Sequence, residues 1–171
     1  MRPTRVLFVC LGNICRSPLA EGVFQSLLRA RGLERHYAVE SAGIGAWHAG
    51  EAPDRRALAV ARKYGVELSS RARQIAAPDF SDSHWVIAMD RENLTELRVL
   101  ARTHGGGARI HLLREFDPEP GDRQVPDPYY GGPEGFDRVF TMVHRSCTAL
   151  LNHLEEERRS SAPEGKRAPR A

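Results

Sequence analysis

Apolar positions along the chain switch repeatedly between two patterns. Arg5–Val9 (RVLFV) is a short β-rich run without polar alternation, as expected of a strand buried on both faces. From Pro18 to Arg31 the period changes. Leu19, Val23 and Leu27 form one stripe with Ala20, Phe24 and Leu28 beside it, an amphipathic helix that Gly32 stops. The same alternation continues. Tyr37–Ser41 reads as a strand, Pro53–Tyr64 as a helix ending at Gly65, and Trp85–Met89 as a third strand. Arg91–Thr103 is a helix entered through Asp90, Arg109–Leu113 a fourth strand, and Glu134–Glu157 a last helix after a polar loop over 115–134. Strands and helices in alternation predict a doubly wound α/β domain: a four-stranded parallel sheet with helices on both faces. In such folds ligands bind beyond the carboxyl ends of the strands. The first strand-to-helix turn, residues 10–17, is therefore the place to look for chemistry.

Charge changes the picture only at one end. The net charge is +3, but residues 158–171 hold five basic groups against Glu164, leaving the first 157 residues at −1. The basicity belongs to a tail, expected to be disordered, and a nucleic-acid-binding core is not indicated. Three cysteines, at 10, 15 and 147, suit a reducing, cytoplasmic setting better than a disulfide framework. The apolar run VLFVCL is too short for a membrane span.

The turn reads Cys10-Leu11-Gly12-Asn13-Ile14-Cys15-Arg16-Ser17, then Pro18. Five residues between Cys10 and Arg16 are enough for the backbone to curl around one tetrahedral anion, its amides pointing inward at a helix N-terminus. Gly12 is expected to supply positive φ, with Asn13 next most tolerant of it. Ser17 is expected to cap the helix and Pro18 to occupy its first turn. Arg16 offers the planar fork that grips two phosphate oxygens. A thiol at a helix N-terminus beside an arginine is stabilised as the thiolate, a nucleophile poised in an anion cradle. No GK[ST] follows, which excludes a nucleotide-binding loop of the Walker type, and Cys10 and Cys15 lack a second ligand pair for zinc.

These residues carry a resemblance. VLFVCLGNICRSPLAEGVF resembles the signature of the low-molecular-weight protein tyrosine phosphatases, SAGIGAWHAGE their second loop, and DPYYGG their general-acid loop. The resemblance covers about residues 5–155 and implies a flavodoxin-like sheet and a two-step reaction without metal or cofactor. By position, Cys10 would be the nucleophile, Arg16 the phosphate clamp and Asp127 the general acid. Leu11 to Cys15 would form the phosphate loop, held in shape by Asn13, Ser17 and Ser41. Leu11, Ile14, Trp47, Tyr129 and Tyr130 would line a deep apolar slot. The chemistry itself calls for an acid, because a phenolate whose conjugate acid has a pKa of about 10 leaves slowly unaided. Asp127 is the candidate, set between Pro126 and Pro128, with Glu134 and Asp117 next. The resemblance also implies that Cys15 pairs with an oxidised Cys10. Phosphotyrosine proteins would be the substrates. With arginine outnumbering lysine 23 to 2, as in a GC-rich bacterial genome, a bacterial tyrosine kinase would supply them.

The chain departs from the family pattern at Ile44, usually threonine, and at Ser70, where histidine is frequent. Asp90 is read as a helix cap near the cleft and Cys147 as a core residue. Three alternatives compete. An arsenate reductase needs resolving cysteines, and none lies between residues 16 and 146. A phosphoarginine phosphatase tends to place threonine at Ile14. A non-hydrolysing phospho-binding module would need neither Cys10 nor Asp127.

Overall fold

The computed structural model describes residues 2–161. Four parallel strands form one sheet: β1 (Thr4–Cys10), β2 (Tyr37–Gly43), β3 (Trp85–Ala88) and β4 (Arg109–Leu112), in the order β2-β1-β3-β4. Side chains of a strand alternate between faces, and both faces here are covered. Phe8 and Ile87 face one core, which they share with Leu19, Val23 and Phe24 of α1 (Arg16–Arg31), Ala57 and Val60 of α2 (Arg55–Lys63), and Val143 and Leu150 of α5 (Pro133–Ser160). Leu7, Val9, Val86 and Ala88 face the other, with Phe80 of α3 (Ala77–Asp82) and Leu94 and Leu97 of α4 (Arg91–His104). The doubly wound architecture expected from the alternation is the one found, in the flavodoxin-like form that the resemblance implies. Among the described residues no helix is long and apolar enough to cross a membrane.

Gly32, in a left-handed conformation at φ 65°, ends α1 as expected, and Asp90 caps α4 by accepting from the Asn93 amide at 2.8 Å. Four expectations shift. The helix α3 has no counterpart in the sequence pattern. The fourth strand stops at Leu112, where a single 3-10 turn, Leu113–Glu115, takes over. The last helix begins at Pro133 and runs on through Arg158, Arg159 and Ser160, where a tail had been expected; Arg158 is pinned to the Glu155 carboxylate at 2.6 Å. Residues 162–171 of that stretch lie outside the described residues. Finally, α1 starts at Arg16 with Cys15 in the cap position, so Ser17 lies inside the helix and does not cap it.

Because β1 is flanked by β2 on one side and β3 on the other, the chain leaves β1 at the point where strand order reverses. The turn of residues 10–15 occupies that crevice and leads directly into α1.

Candidate active site

The backbone of the turn is fixed from outside. The Cys10, Leu11 and Ile14 carbonyls accept from the Ile44, Gly45 and Asp54 amides at 2.9, 3.0 and 2.8 Å. In a trans peptide the N–H points opposite to the C=O. With those carbonyls drawn outward, the amides of Leu11, Gly12 and Cys15 turn inward, toward the hollow that the loop encloses. The Asn13 amide donates directly to the Cys10 sulfur at 3.3 Å. Cys10 thus sits at the floor of a ring of donors, with the positive end of α1 behind it.

Asn13 adopts φ 57°, the left-handed residue of the loop. Gly12 does not have positive φ, contrary to expectation. A Cβ there would approach the His48 ring to 3.1 Å. Gly43 is tighter still: a Cβ would lie 3.0 Å from the Leu11 carbonyl oxygen and 3.1 Å from the Asn13 nitrogen. The end of β2 therefore presses against the loop backbone, which a Cβ at Gly43 would push aside by tenths of an ångström.

The Asn13 side chain, 2% exposed, is fully engaged. Its amide nitrogen donates to the hydroxyls of Ser17 (2.7 Å) and Ser41 (3.0 Å), and its oxygen accepts from the Arg73 amide (3.0 Å). Ser17 Oγ in turn lies 3.0 Å from the Cys10 sulfur, positioned to donate to a thiolate. Ser41 donates to the Glu21 carboxylate. Burial raises the pKa of Glu21, and hydrogen bonds from Ser41 and Ser70 oppose that rise. Ser70 thus enters the network through Glu21, and Arg73 contributes the backbone donor.

Arg16, 2% exposed, links three segments. Its Nη1 donates to Asp90 at 2.6 Å and to the Val125 carbonyl at 3.0 Å, and its Nη2 lies 3.6 Å from Asp127. Burial works against the guanidinium charge, but the Cys10 sulfur and the Asp90 and Asp127 carboxylates outweigh it and raise the pKa. Asp90 is both the expected cap of α4 and a partner of Arg16. Asp127 Oδ1 accepts from the Tyr129 amide at 3.1 Å, an Asx turn that holds the carboxylate over the loop.

A cleft of about 370 Å³ opens above Cys10. Cys10, Leu11, Gly12, Ile14, Cys15 and Arg16 form its base, and Trp47, His48, Asp127, Tyr129 and Tyr130 its walls. The sequence candidates are thus brought together, with Ser17 and Ser41 behind the loop. Trp47 (69% exposed) and Tyr130 (94% exposed) stand at the rim as uncovered aromatic surface. The Cys15 thiol is pushed well up in pKa, first by burial and then by Asp54, Cys10 and Asp127. Cys147 is a fully buried core residue, as expected.

Sequence reasoning missed His48, Gly43, Asp54 and Arg73. Only His48 gave any signal, its place in the Gly/Ala loop beside Trp47. The reserve candidates for the acid fall away. Asp117 is buried against Arg145 and Arg114, which with Ser146 and the Glu119 amide hold its carboxyl at about 2 despite burial. It does not line the cleft, and neither does Glu134. Among the described residues no group of three or more His, Cys, Asp or Glu is placed to hold a metal ion.

A buried Cys–Arg loop at the switch point of a doubly wound sheet, with a carboxylate hung over it, defines a class of phosphate-handling proteins. The family model of the low molecular weight phosphotyrosine protein phosphatases matches residues 5–160, and the chain belongs to that family. It is 45% identical over 155 residues to a low molecular weight protein-tyrosine-phosphatase of Streptomyces coelicolor, covering 90% of this chain and 94% of that one. It is also similar to the crystal structure of an Entamoeba histolytica protein tyrosine phosphatase with Hepes in its active site. That likeness has a TM-score of 0.85 at 35% identity and covers 91% and 99% of the two chains. The crystal structure of a Drosophila arginine phosphatase is similar at TM-score 0.84 and 34% identity, over 88% and 97%.

Proposed function

We propose that the chain hydrolyses phosphotyrosine in proteins through a cysteinyl-phosphate intermediate. The observation that carries this reading is the placement of the Cys10 sulfur among the loop amides, with Arg16 beside it and Asp127 above. The phosphate takes the hollow, held by the inward amides of Leu11, Gly12 and Cys15 and by Arg16, which grips two oxygens. The Cys10 thiolate attacks phosphorus. An S–P bond forms as the P–O bond to the phenol breaks, and Asp127 gives its proton to the departing oxygen. In the second step Asp127, now a carboxylate, takes a proton from water as that water attacks phosphorus. The S–P bond breaks, releasing inorganic phosphate and restoring both groups. The inward amides meet charge on the equatorial oxygens, which is where charge is carried in phosphoryl transfer.

The cleft walls support an aromatic leaving group. Leu11, Ile14, Trp47, Tyr129 and Tyr130 are apolar or aromatic and line the passage to Cys10. One structural relative is an arginine phosphatase, so the leaving group must be tested directly. Phosphotyrosine and phosphoarginine peptides of matched sequence should be compared by kcat/KM. Preference for phosphotyrosine supports the reading, and preference for phosphoarginine overturns it.

A further inference from the structure

A second groove, of about 640 Å³, opens beside the cleft and shares Leu11, Arg16, Trp47 and Asp127 with it. Its far wall is the start of α4: Arg91, Glu92, Asn93, Thr95 and Glu96. The charges on that wall are not balanced. Arg91 is drawn away, donating through its backbone to Gln124 and through its guanidinium to the Asp122 carbonyl, each at 3.1 Å. Arg16 is already matched by Asp90. Glu92 and Glu96 are exposed, lie one turn apart on one helix face, and form no ion pair among the described residues. The wall of the groove at α4 therefore carries two carboxylates without a paired cation among the described residues.

Asn93 adds an independent observation. The residue is 2% exposed and lines the groove, and its side-chain oxygen has no hydrogen-bond partner among the described residues. A buried acceptor without a donor is costly. The oxygen is shielded as it stands, and a turn of the Asn93 amide toward the groove would offer it to a donor-rich group seated there. A guanidinium supplies five N–H donors and a charge that the two glutamates complement.

We propose that this groove is a substrate subsite that takes a basic side chain, arginine above all, adjacent to the phosphotyrosine. The inference rests on the phosphotyrosine reading of the cleft. Because Leu11 and Trp47 belong to both hollows, a peptide whose phosphotyrosine reaches Cys10 passes its neighbouring residue over that shared wall. The groove would then select among phosphotyrosine sequences, while the cleft performs the reaction.

The test compares phosphotyrosine peptides carrying arginine, alanine or glutamate on either side of the phosphorylated residue. The wild-type protein should favour the arginine peptide over the alanine peptide by about 5–10-fold in kcat/KM, from two exposed carboxylates acting together. The ratio should shrink as salt is added. In Glu92→Gln/Glu96→Gln, a surface change, the ratio should fall to about twofold or less, the residue of two lost ion pairs. A wild-type ratio near unity, or a ratio unchanged in the variant, overturns the groove assignment while leaving the phosphotyrosine reading intact. Hydrolysis of p-nitrophenyl phosphate with no turnover of any phosphotyrosine peptide would overturn both.

Discussion

The Arg16 guanidinium donates at 3.0 Å to the backbone carbonyl of Val125, two residues before Asp127. The phosphate clamp therefore also holds the loop that delivers the acid. Val125 is tied on its other side, its amide donating to the Met89 carbonyl at 2.8 Å. Pro126 and Pro128 then stiffen the chain on either side of Asp127. One buried side chain thus sets the distance between the phosphate hollow and the carboxyl group.

Asp127→Asn should slow hydrolysis of phenyl phosphate by about 10²–10⁴-fold, the usual size of a general-acid contribution. The loss should shrink for substrates with more acidic leaving phenols, which need less proton assistance. Rates across a series of substituted phenyl phosphates check this. A uniform slowing would mean that the loop only positions substrate.

Asp90→Asn separates two roles of one residue. Asparagine caps helices as well as aspartate does, so thermal stability should change little. Asp90 accepts the cap at Oδ1 and Arg16 at Oδ2, whereas asparagine has one acceptor oxygen, so keeping the cap turns its NH2 toward Arg16 and loses that bond. kcat/KM should fall about tenfold or more, the worth of a hydrogen bond to a charged group. Melting curves and steady-state rates on one preparation test both halves.

Gly43→Ala should impair catalysis without unfolding the protein. Its Cβ would press on the Leu11 carbonyl and the Asn13 amide, shifting the loop by tenths of an ångström. Misplaced donors cost rate steeply, about 10²-fold for a displacement near 1 Å, so a shift of a few tenths should lower kcat several-fold. Retained circular dichroism with reduced kcat is the predicted pair of results.

Much of this arrangement was legible in the sequence. The strand-loop-helix from Arg5 to Arg31 combines a continuous apolar run, a Gly-Asn turn and an amphipathic stripe, each a local signal. Helix α3 was not legible: it has six residues, a proline near its start and Phe80 as its one buried side chain, so no period develops. The contacts that fix the loop were illegible for another reason. They run through backbone atoms of Ile44, Gly45, Asp54, Arg73 and Val125, which no residue type announces. The positive-φ role expected of Gly12 falls instead to Asn13, whose side chain is locked by Ser17, Ser41 and the Arg73 amide.

Asp117 should govern part of the acid stability. Its folded pKa of about 2 lies below the ordinary aspartate value of 3.8, because Arg145 and Arg114 favour the charged form over the opposing effect of burial. The sign follows: the stabilisation is present above about pH 4 and is lost as pH falls toward 2. Asp117→Ala should destabilise the fold by about 3–5 kcal/mol at neutral pH, the cost of breaking a buried pair. Its denaturation midpoints should vary less between pH 4 and 2 than those of the wild type.

Trapping the intermediate addresses the central claim most directly. The wild-type protein should be mixed with excess p-nitrophenyl phosphate, quenched in acid within the first turnovers, digested and examined by mass spectrometry. The account predicts one phosphoryl group on the peptide containing Cys10, formed in step with a burst of nitrophenol, and neither signal in Cys10→Ser. Sustained turnover by Cys10→Ser, or a phosphoryl group on another residue of the wild type, would contradict it.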